Sequence, residues 1–146
     1  MNAADISGRF FLDTNILVYS FDRRVPSKQQ VSHRWIRDAL RTQRGVISTQ
    51  VVQEFLNVAL RRFAQPLTIP ESREYLKTVL MPLCILYPTV SFFDRALLLR
   101  QESNFQFYDS LIVTAALDLG CSVLVSEDMQ DGLRIGGLTI RNPFTD

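Results

Sequence analysis

The chain has 146 residues, of which 47% are apolar and 21% charged, and its formal net charge is +1. That length suffices for one domain with its own core, and the balance is that of an ordinary globular protein, with no repeats or low-complexity segments. No apolar stretch approaches the roughly 18 to 20 residues that a membrane span needs, and the N-terminus lacks the basic flank and apolar run of a secretory signal, so a cytoplasmic protein is expected.

Taken in order, Phe10, Phe11 and Leu12 read as a buried strand that stops at Asp13. Thr14 and Asn15 favour helix entry, because their side chains bond free backbone N–H groups. A buried strand that ends on a carboxylate and turns straight into a helix puts that carboxylate at the carboxyl edge of a sheet, where open α/β sheets bind ligands. Alone, Asp13 reads more readily as a helix cap; what shifts the reading is that three later segments deliver acids in comparable positions.

Arg23 and Arg24 lie in a loop, and Ser27 is the expected N-cap of a helix over residues 27–43. Val31, Trp35, Ile36, Ala39 and Leu40 share one face of that helix; Arg34, Arg37, Arg41 and Arg44 share the other. Fourteen of the 16 basic residues are arginine, whose planar fork suits bidentate contact with phosphate. The stripe therefore reads either as a phosphate-contacting surface or as a solvated helix face. Residues 45–48 form a second strand, and a helix over 49–63 follows. Glu54 sits just beyond the edge of that helix's apolar arc, about one turn in, so its carboxylate reaches the rim between core and solvent.

Pro66 and Pro70 break the pattern, a helix over 71–81 ends at Pro82, and a third strand over 85–87 stops at Pro88. Ser91 is the expected cap of a helix reaching 102, and residues 103–106 form a polar turn. The next helix, 108–119, ends at Gly120. Asp109 falls inside its apolar arc, where a carboxylate is costly to desolvate unless something pairs with it. The helix N-terminus offsets only about 0.3 to 1 kcal/mol of that cost. A fourth strand over 122–125 ends in Ser126, Glu127 and Asp128, repeating the arrangement at Asp13, and a last strand covers 138–140. The alternation of strand and helix predicts an α/β fold.

What the chain lacks narrows the chemistry. Cys84 and Cys121 begin apolar runs and read as buried free thiols. His33 is the only histidine and lies in the arginine-rich helix, away from the acidic segments. A zinc site and a histidine-pair mechanism are therefore not expected, and no glycine-rich loop with Lys-Ser or Lys-Thr follows a strand.

Leu12-Asp13-Thr14-Asn15, Gln53-Glu54-Phe55, Tyr108-Asp109-Ser110-Leu111-Ile112 and Ser126-Glu127-Asp128, in that order and spacing, resemble a PIN domain, and more closely the VapC-type toxins of bacterial toxin–antitoxin pairs. The resemblance covers nearly the whole chain. It implies a single PIN-like domain over 1–146, folded as a three-layer α/β/α sandwich around a mostly parallel sheet of about five short strands. The implied activity is Mg²⁺- or Mn²⁺-dependent endoribonuclease cleavage, with the acidic cluster on Asp13, Glu54, Asp109 and Asp128. Asp13, Asp109 and Asp128 would hold the metal, with Glu54 bound directly or through water, and Glu127 and Asp131 are close enough in sequence to substitute or assist. Thr14, Asn15 and Ser126 would support these acids.

The implied partners are an RNA substrate, a cognate antitoxin and a second copy of the chain in a homodimer. Arg23, Arg24, Arg34, Arg37 and Arg41 are the expected RNA contacts, and Phe92, Phe93, Phe105 and Phe107 the candidate apolar surface for assembly. The chemistry suits the residues. Four converging carboxylates raise one another's pKa values, and a hard divalent cation removes that penalty, activates water and stabilises charge on phosphate. Two other readings stand beside this one. An aspartyl-phosphate phosphatase or phosphotransferase would use Asp13 as nucleophile, although Asn15 occupies the place where such sites usually carry a second aspartate. A non-catalytic RNA- or protein-binding module would keep only the fold.

Overall fold

The computed structural model of the chain describes residues 1–145. Three short runs of apolar residues build the centre of its sheet. They are β1 (Phe10–Leu12), β2 (Gly45–Ser48) and β4 (Val123–Val125), and every residue in them is buried. Such strands have no polar face to show to water, as in a parallel sheet covered on both sides. β3 (Cys84–Leu86) and β6 (Leu138–Arg141) flank them, and β5 (Arg134–Ile135) lies at the edge. The order is β3-β2-β1-β4-β6-β5, parallel throughout except for the antiparallel β5–β6 pair. The sheet thus has six strands where about five were expected, the extra one being the two-residue β5.

The helices are α1 (Thr14–Tyr19), α2 (Pro26–Thr42), α3 (Thr49–Arg61), α4 (Ile69–Tyr75), α5 (Met81–Leu83), α6 (Val90–Glu102) and α7 (Phe107–Asp118). The path from β1 to β2 to β3 steps one way across the sheet, and the return to β4 crosses back beyond β1. With right-handed crossovers, α1 to α5 cover one face and α6 and α7 the other. This gives the expected three layers. The strand order reverses between β1 and β4, which is the switch point where open α/β sheets form a crevice at the carboxyl ends of their strands.

Several boundaries differ from the expected ones for identifiable reasons. Val25, not Ser27, is the N-cap of α2; it makes no side-chain cap bond, and Pro26 opens the helix, where its missing N–H costs nothing. Pro70 likewise sits in the first turn of α4 rather than breaking it, and Thr68 and Glu71 form a reciprocal capping box. Past α4 the chain widens into a π-helical stretch, Leu76–Leu80, just before Pro82 in α5. A proline there removes one backbone donor and crowds the carbonyl a turn earlier, which disfavours regular α pitch. Thr89, not Ser91, caps α6 by accepting from the Phe92 N–H. Gly120 ends α7 as expected: at φ +69° its N–H bonds the Leu117 carbonyl while that of Cys121 bonds Ala116. That pair of bonds is a Schellman closure.

The apolar face expected for α2 packs inward, with Trp35 edge-on to Phe10 at a centroid distance of 5.4 Å. Arg44 leaves the arginine stripe. Its guanidinium donates to the carbonyls of Ala3, Ile6 and Gly8, pinning the N-terminal turn. Gly45 permits the closest helix–strand approach, since a Cβ there would lie 2.2 Å from the Ala39 Cβ and 2.8 Å from the Phe10 ring. Gly45→Ala is therefore expected to cost about 1 to 3 kcal/mol through overpacking, read as a lower urea midpoint with an unchanged slope. Both cysteines are buried free thiols. Among the described residues no helix is long and apolar enough to cross a membrane.

Of the four phenylalanines singled out as candidate surface, only Phe93 is exposed. Phe92 is buried, and Phe105 and Phe107 are partly buried against the core. α6 and α7 pack on each other, which covers side chains that a lone helix would expose.

Candidate active site

Asp13 closes β1 and begins α1. Its backbone N–H bonds the Val125 carbonyl of β4 at 3.0 Å, so the two strand ends that flank the switch point are tied together at this residue. The side chain is buried and each oxygen has a donor: the Thr14 N–H at 2.7 Å and the Ser126 hydroxyl at 2.7 Å. Asp13 does cap α1, and it does so inside the cleft rather than in place of a site. Burial pushes its carboxyl up to about 6; the charges of Glu54 and Asp128 add to the rise, and the two hydrogen bonds oppose it.

Thr14 and Asn15 do not bond the helix backbone, as the sequence suggested. Their side chains reach the other acids. The Thr14 hydroxyl donates to Glu54 at 3.1 Å, and the Asn15 amide donates to Asp128 at 3.0 Å. Glu54, half-buried on α3, also accepts from the Gln50 amide at 3.3 Å, and Gln50 donates at 3.2 Å to the carbonyl of Tyr108. Gln50 thereby ties the carboxylate of α3 to the first turn of α7, next to Asp109. Burial raises the carboxyls of Glu54 and Asp109. The negative charge of Asp109 adds to the rise at Glu54, and that of Asp128 to the rise at Asp109.

The four carboxylates come from four elements, and hydrogen bonds link their neighbourhoods: Ser126 donates to Asp13, Thr14 to Glu54, Asn15 to Asp128, and Gln50 both to Glu54 and to the Tyr108 carbonyl beside Asp109. Asp109 and Asp128 line an open cleft of about 450 Å³ between the 103–106 turn and the segment from Asp128 to Ile135. Asp109 reaches that position in a different way from the one expected. α7 is buried all round from Ser110 to Ala116, so it has no single apolar arc, and Asp109 stands half-buried at the open end of a central helix.

The other candidate acids point elsewhere. Glu127 pairs with Lys28, and Asp131 accepts the backbone N–H of Asn142 at 2.9 Å. His33 meets the Ser20 carbonyl through Nε2 at 2.7 Å, well apart in the fold from these contacts. Arg34 and Arg23 are exposed; Arg24 is paired with Asp22, while Arg37 and Arg41 share Asp38. Lys28 and Gln50 were not singled out in the sequence. The only available signal for Lys28 was its rarity, as one of two lysines in the chain.

The donor set is all oxygen, which suits a hard divalent cation. Among the described residues, however, no three acidic, histidine or cysteine side chains stand close enough together to form a ready-made metal site. The two facts agree for an ion of the Mg²⁺ type, which keeps several waters and takes only one or two carboxylates directly. Asp109 and Asp128, which line the cleft, are residues that could hold such an ion, together with Asp13 and Glu54.

These features define an α/β domain with an acidic cleft at the switch point of its sheet. The chain belongs to the PIN domain family, whose model matches residues 10–131. Its fold is similar to that of a chain in a toxin–antitoxin complex from Klebsiella pneumoniae, at 22% identity and a TM-score of 0.63 over 94% of this chain and 98% of that one. DNA-bound VapBC from Salmonella typhimurium gives 23% identity and a TM-score of 0.61 over 94% and 99% of the two chains. VapC20 of Mycobacterium tuberculosis, a toxin that cleaves the sarcin–ricin loop, gives 17% and 0.54 over 82% and 89%. No curated protein sequence matches the chain.

Proposed function

We propose that this protein is a Mg²⁺- or Mn²⁺-dependent endoribonuclease and the toxin of a toxin–antitoxin pair. The observation that carries the reading is the hydrogen-bond network that joins the Asp13, Glu54 and Asp128 carboxylates, through Thr14, Asn15, Ser126 and Gln50, to one another's elements and to the first turn of α7 beside Asp109. The likeness in fold to toxin–antitoxin complexes supports it. A divalent cation in the cleft would activate water and offset the charge that develops on phosphate.

The chain's own residues have distinct tasks. Asp13, Asp109 and Asp128 are the candidate ligands, the last two lining the cleft, and Glu54 acts directly or through water. Thr14, Asn15 and Ser126 orient these carboxylates with one hydrogen bond each. Hydrolysis would leave a 5′-phosphate and a 3′-hydroxyl. The reading extends to a single cytoplasmic domain, a homodimer and a cognate antitoxin as partner.

The test is cleavage mapping on total RNA with Mn²⁺ and with chelator, for the wild type and for Asp109→Asn. Discrete metal-dependent cuts that vanish in the variant are expected. One second reading is a non-catalytic binding module. It predicts no cuts and no saturable Mn²⁺ binding. The aspartyl-phosphate reading loses ground, because both Asp13 oxygens already accept hydrogen bonds.

For RNA contact, Arg23, Arg24, Arg34, Arg37 and Arg41 remain the proposed residues, and Arg34 and Arg23 have the freest side chains. Replacing Arg34, Arg37 and Arg41 together is expected to flatten the salt dependence of RNA binding by about two to three phosphate contacts' worth of slope. Because Arg37 and Arg41 share Asp38, an unchanged slope would make the stripe a self-neutralised helix face.

A further inference from the structure

Lys28 lies on α2, outside the acidic cleft, yet it is built into the cleft's support. Its ammonium bonds Glu127 and donates to the Tyr19 hydroxyl at 3.3 Å. It also sits 4.6 Å from the centroid of the Tyr19 ring and 5.3 Å from that of Phe144. The two rings pack edge to face at 5.1 Å, so together they form an aromatic seat for one cation. Phe144 lies beyond residues 10–131, the part that the family model matches.

Glu127 stands between two residues of the site. Ser126 before it donates to Asp13, and Asp128 after it accepts from Asn15. Its own N–H reaches the Asn15 Oδ1 at 3.4 Å. The Glu127 carboxylate is therefore the only side chain in this run of three that leaves the cleft, and Lys28 is what it leaves for. An unheld Glu127 would put a mobile carboxylate beside Asp128 and free the segment that presents both Ser126 and Asp128.

We propose that Lys28 is a positioning residue for the acidic cleft: seated between Tyr19 and Phe144, it holds Glu127 away from the acids and thereby fixes Asp128 toward the cation. The proposal rests on the nuclease reading for its consequence, but the tether itself is testable without it. Removing an outer partner that orients a metal ligand typically costs about 10- to 100-fold in affinity or activity. An effect near the lower end is expected here, because Lys28 acts through a neighbouring residue.

The experiment compares wild type with Lys28→Met, Lys28→Arg, Glu127→Gln and the Lys28→Met/Glu127→Gln double variant, using Lys77→Met as the lysine control. Four quantities are read: amide hydrogen exchange across the chain, Mn²⁺ affinity by titration, kcat and KM on the cleaved RNA, and thermal unfolding. Lys28→Met is expected to speed exchange of the Ser126 and Glu127 amides, which bond the Arg141 carbonyl and the Asn15 Oδ1, about tenfold while β1 and β4 stay protected. Mn²⁺ binding should weaken about tenfold, and kcat should fall by a similar factor with KM nearly unchanged. Lys28→Arg should restore most of both, and the double variant should be no worse than Lys28→Met, since the two residues act as a pair.

Unchanged exchange and Mn²⁺ affinity, with only a lower melting temperature, would make Lys28 a plain stabilising contact and overturn the proposal. A raised KM with a flatter salt slope and intact Mn²⁺ affinity would overturn it in favour of an RNA phosphate contact. Should Lys28→Met unfold, Glu127→Gln probes the same tether from its other end, and exchange that rises uniformly there counts against it. A wild type that neither binds Mn²⁺ nor cuts RNA would defeat the nuclease reading, while local exchange at 126–129 still decides whether Lys28 holds the segment.

Discussion

Asp13→Asn is expected to melt higher than wild type in the presence of chelator at pH 7, and to lose RNA cleavage entirely. The carboxyl of Asp13 rises from 3.8 to about 6 on folding, mainly because it is buried. Between those values the folded chain keeps a proton that the unfolded chain has released. Stability of the metal-free protein therefore falls as pH rises from about 4 to about 6, and the penalty is complete above that window. A shift of this size corresponds to something on the order of 2 to 3 kcal/mol. Asparagine removes the charge and still fits: its carbonyl oxygen accepts from the Thr14 N–H, and its amide donates to a Ser126 hydroxyl turned to accept. A gain of about 4 to 12 °C follows for a chain of this length.

Mn²⁺ should raise the melting temperature of wild type well above that of the variant by binding the folded state. The measurement is a set of thermal scans at pH 4, 5, 6 and 7 with chelator and with Mn²⁺, beside a cleavage assay. The difference between the two proteins with chelator should vanish near pH 4. A variant that is less stable than wild type at every pH would mean that Asp13 is a structural cap whose charge is already compensated.

The second large effect concerns what holds Glu54 in place. Phe55, the next residue on α3, is fully buried, and its ring lies 5.7 Å from that of Phe21, 6.0 Å from Phe63 and 4.9 Å from Tyr75. These rings join the segment just after α1, the middle of α3, the segment just past its end and the end of α4 into one cluster. Phe55→Ala is expected to cost about 3 to 5 kcal/mol, the transfer loss plus the cavity left behind. Against a total stability of about 5 to 15 kcal/mol for a typical domain, that is enough to leave a substantial unfolded fraction at 37 °C. Phe55→Leu should cost about 1 to 2 kcal/mol and stay folded. Urea unfolding followed by circular dichroism checks both. Near-equal midpoints for wild type and Phe55→Ala would mean that the cluster collapses around the gap and does not anchor α3.

The elements that carry the acids were legible in the sequence because each is defined locally. An apolar run that stops on Asp13, another that stops on Ser126, a rim glutamate one turn into a helix and an aspartate in a first turn are all patterns of a few neighbouring residues. Strand period, helix face and turn chemistry depend on such neighbours. The helix stop at Gly120 and the apolar face of α2 were readable for the same reason. Caps were less so: Ser27 and Ser91 are good capping residues by type, but Pro26 and Thr89 start their helices earlier.

Only the tertiary structure decided which of these pieces meet. β1 lies beside β4, more than 100 residues on, and not beside β3. That pairing brings Ser126 onto Asp13 and Asn15 onto Asp128. It likewise separates Asp128 from Glu127, which the sequence left able to substitute for it, because one finds Asn15 and the other finds Lys28. Strand order is set by how crossovers cover apolar faces, and the partner of a carboxylate by what the folded chain brings near it. Both are long-range terms in the free energy, so no window of neighbouring residues contains them.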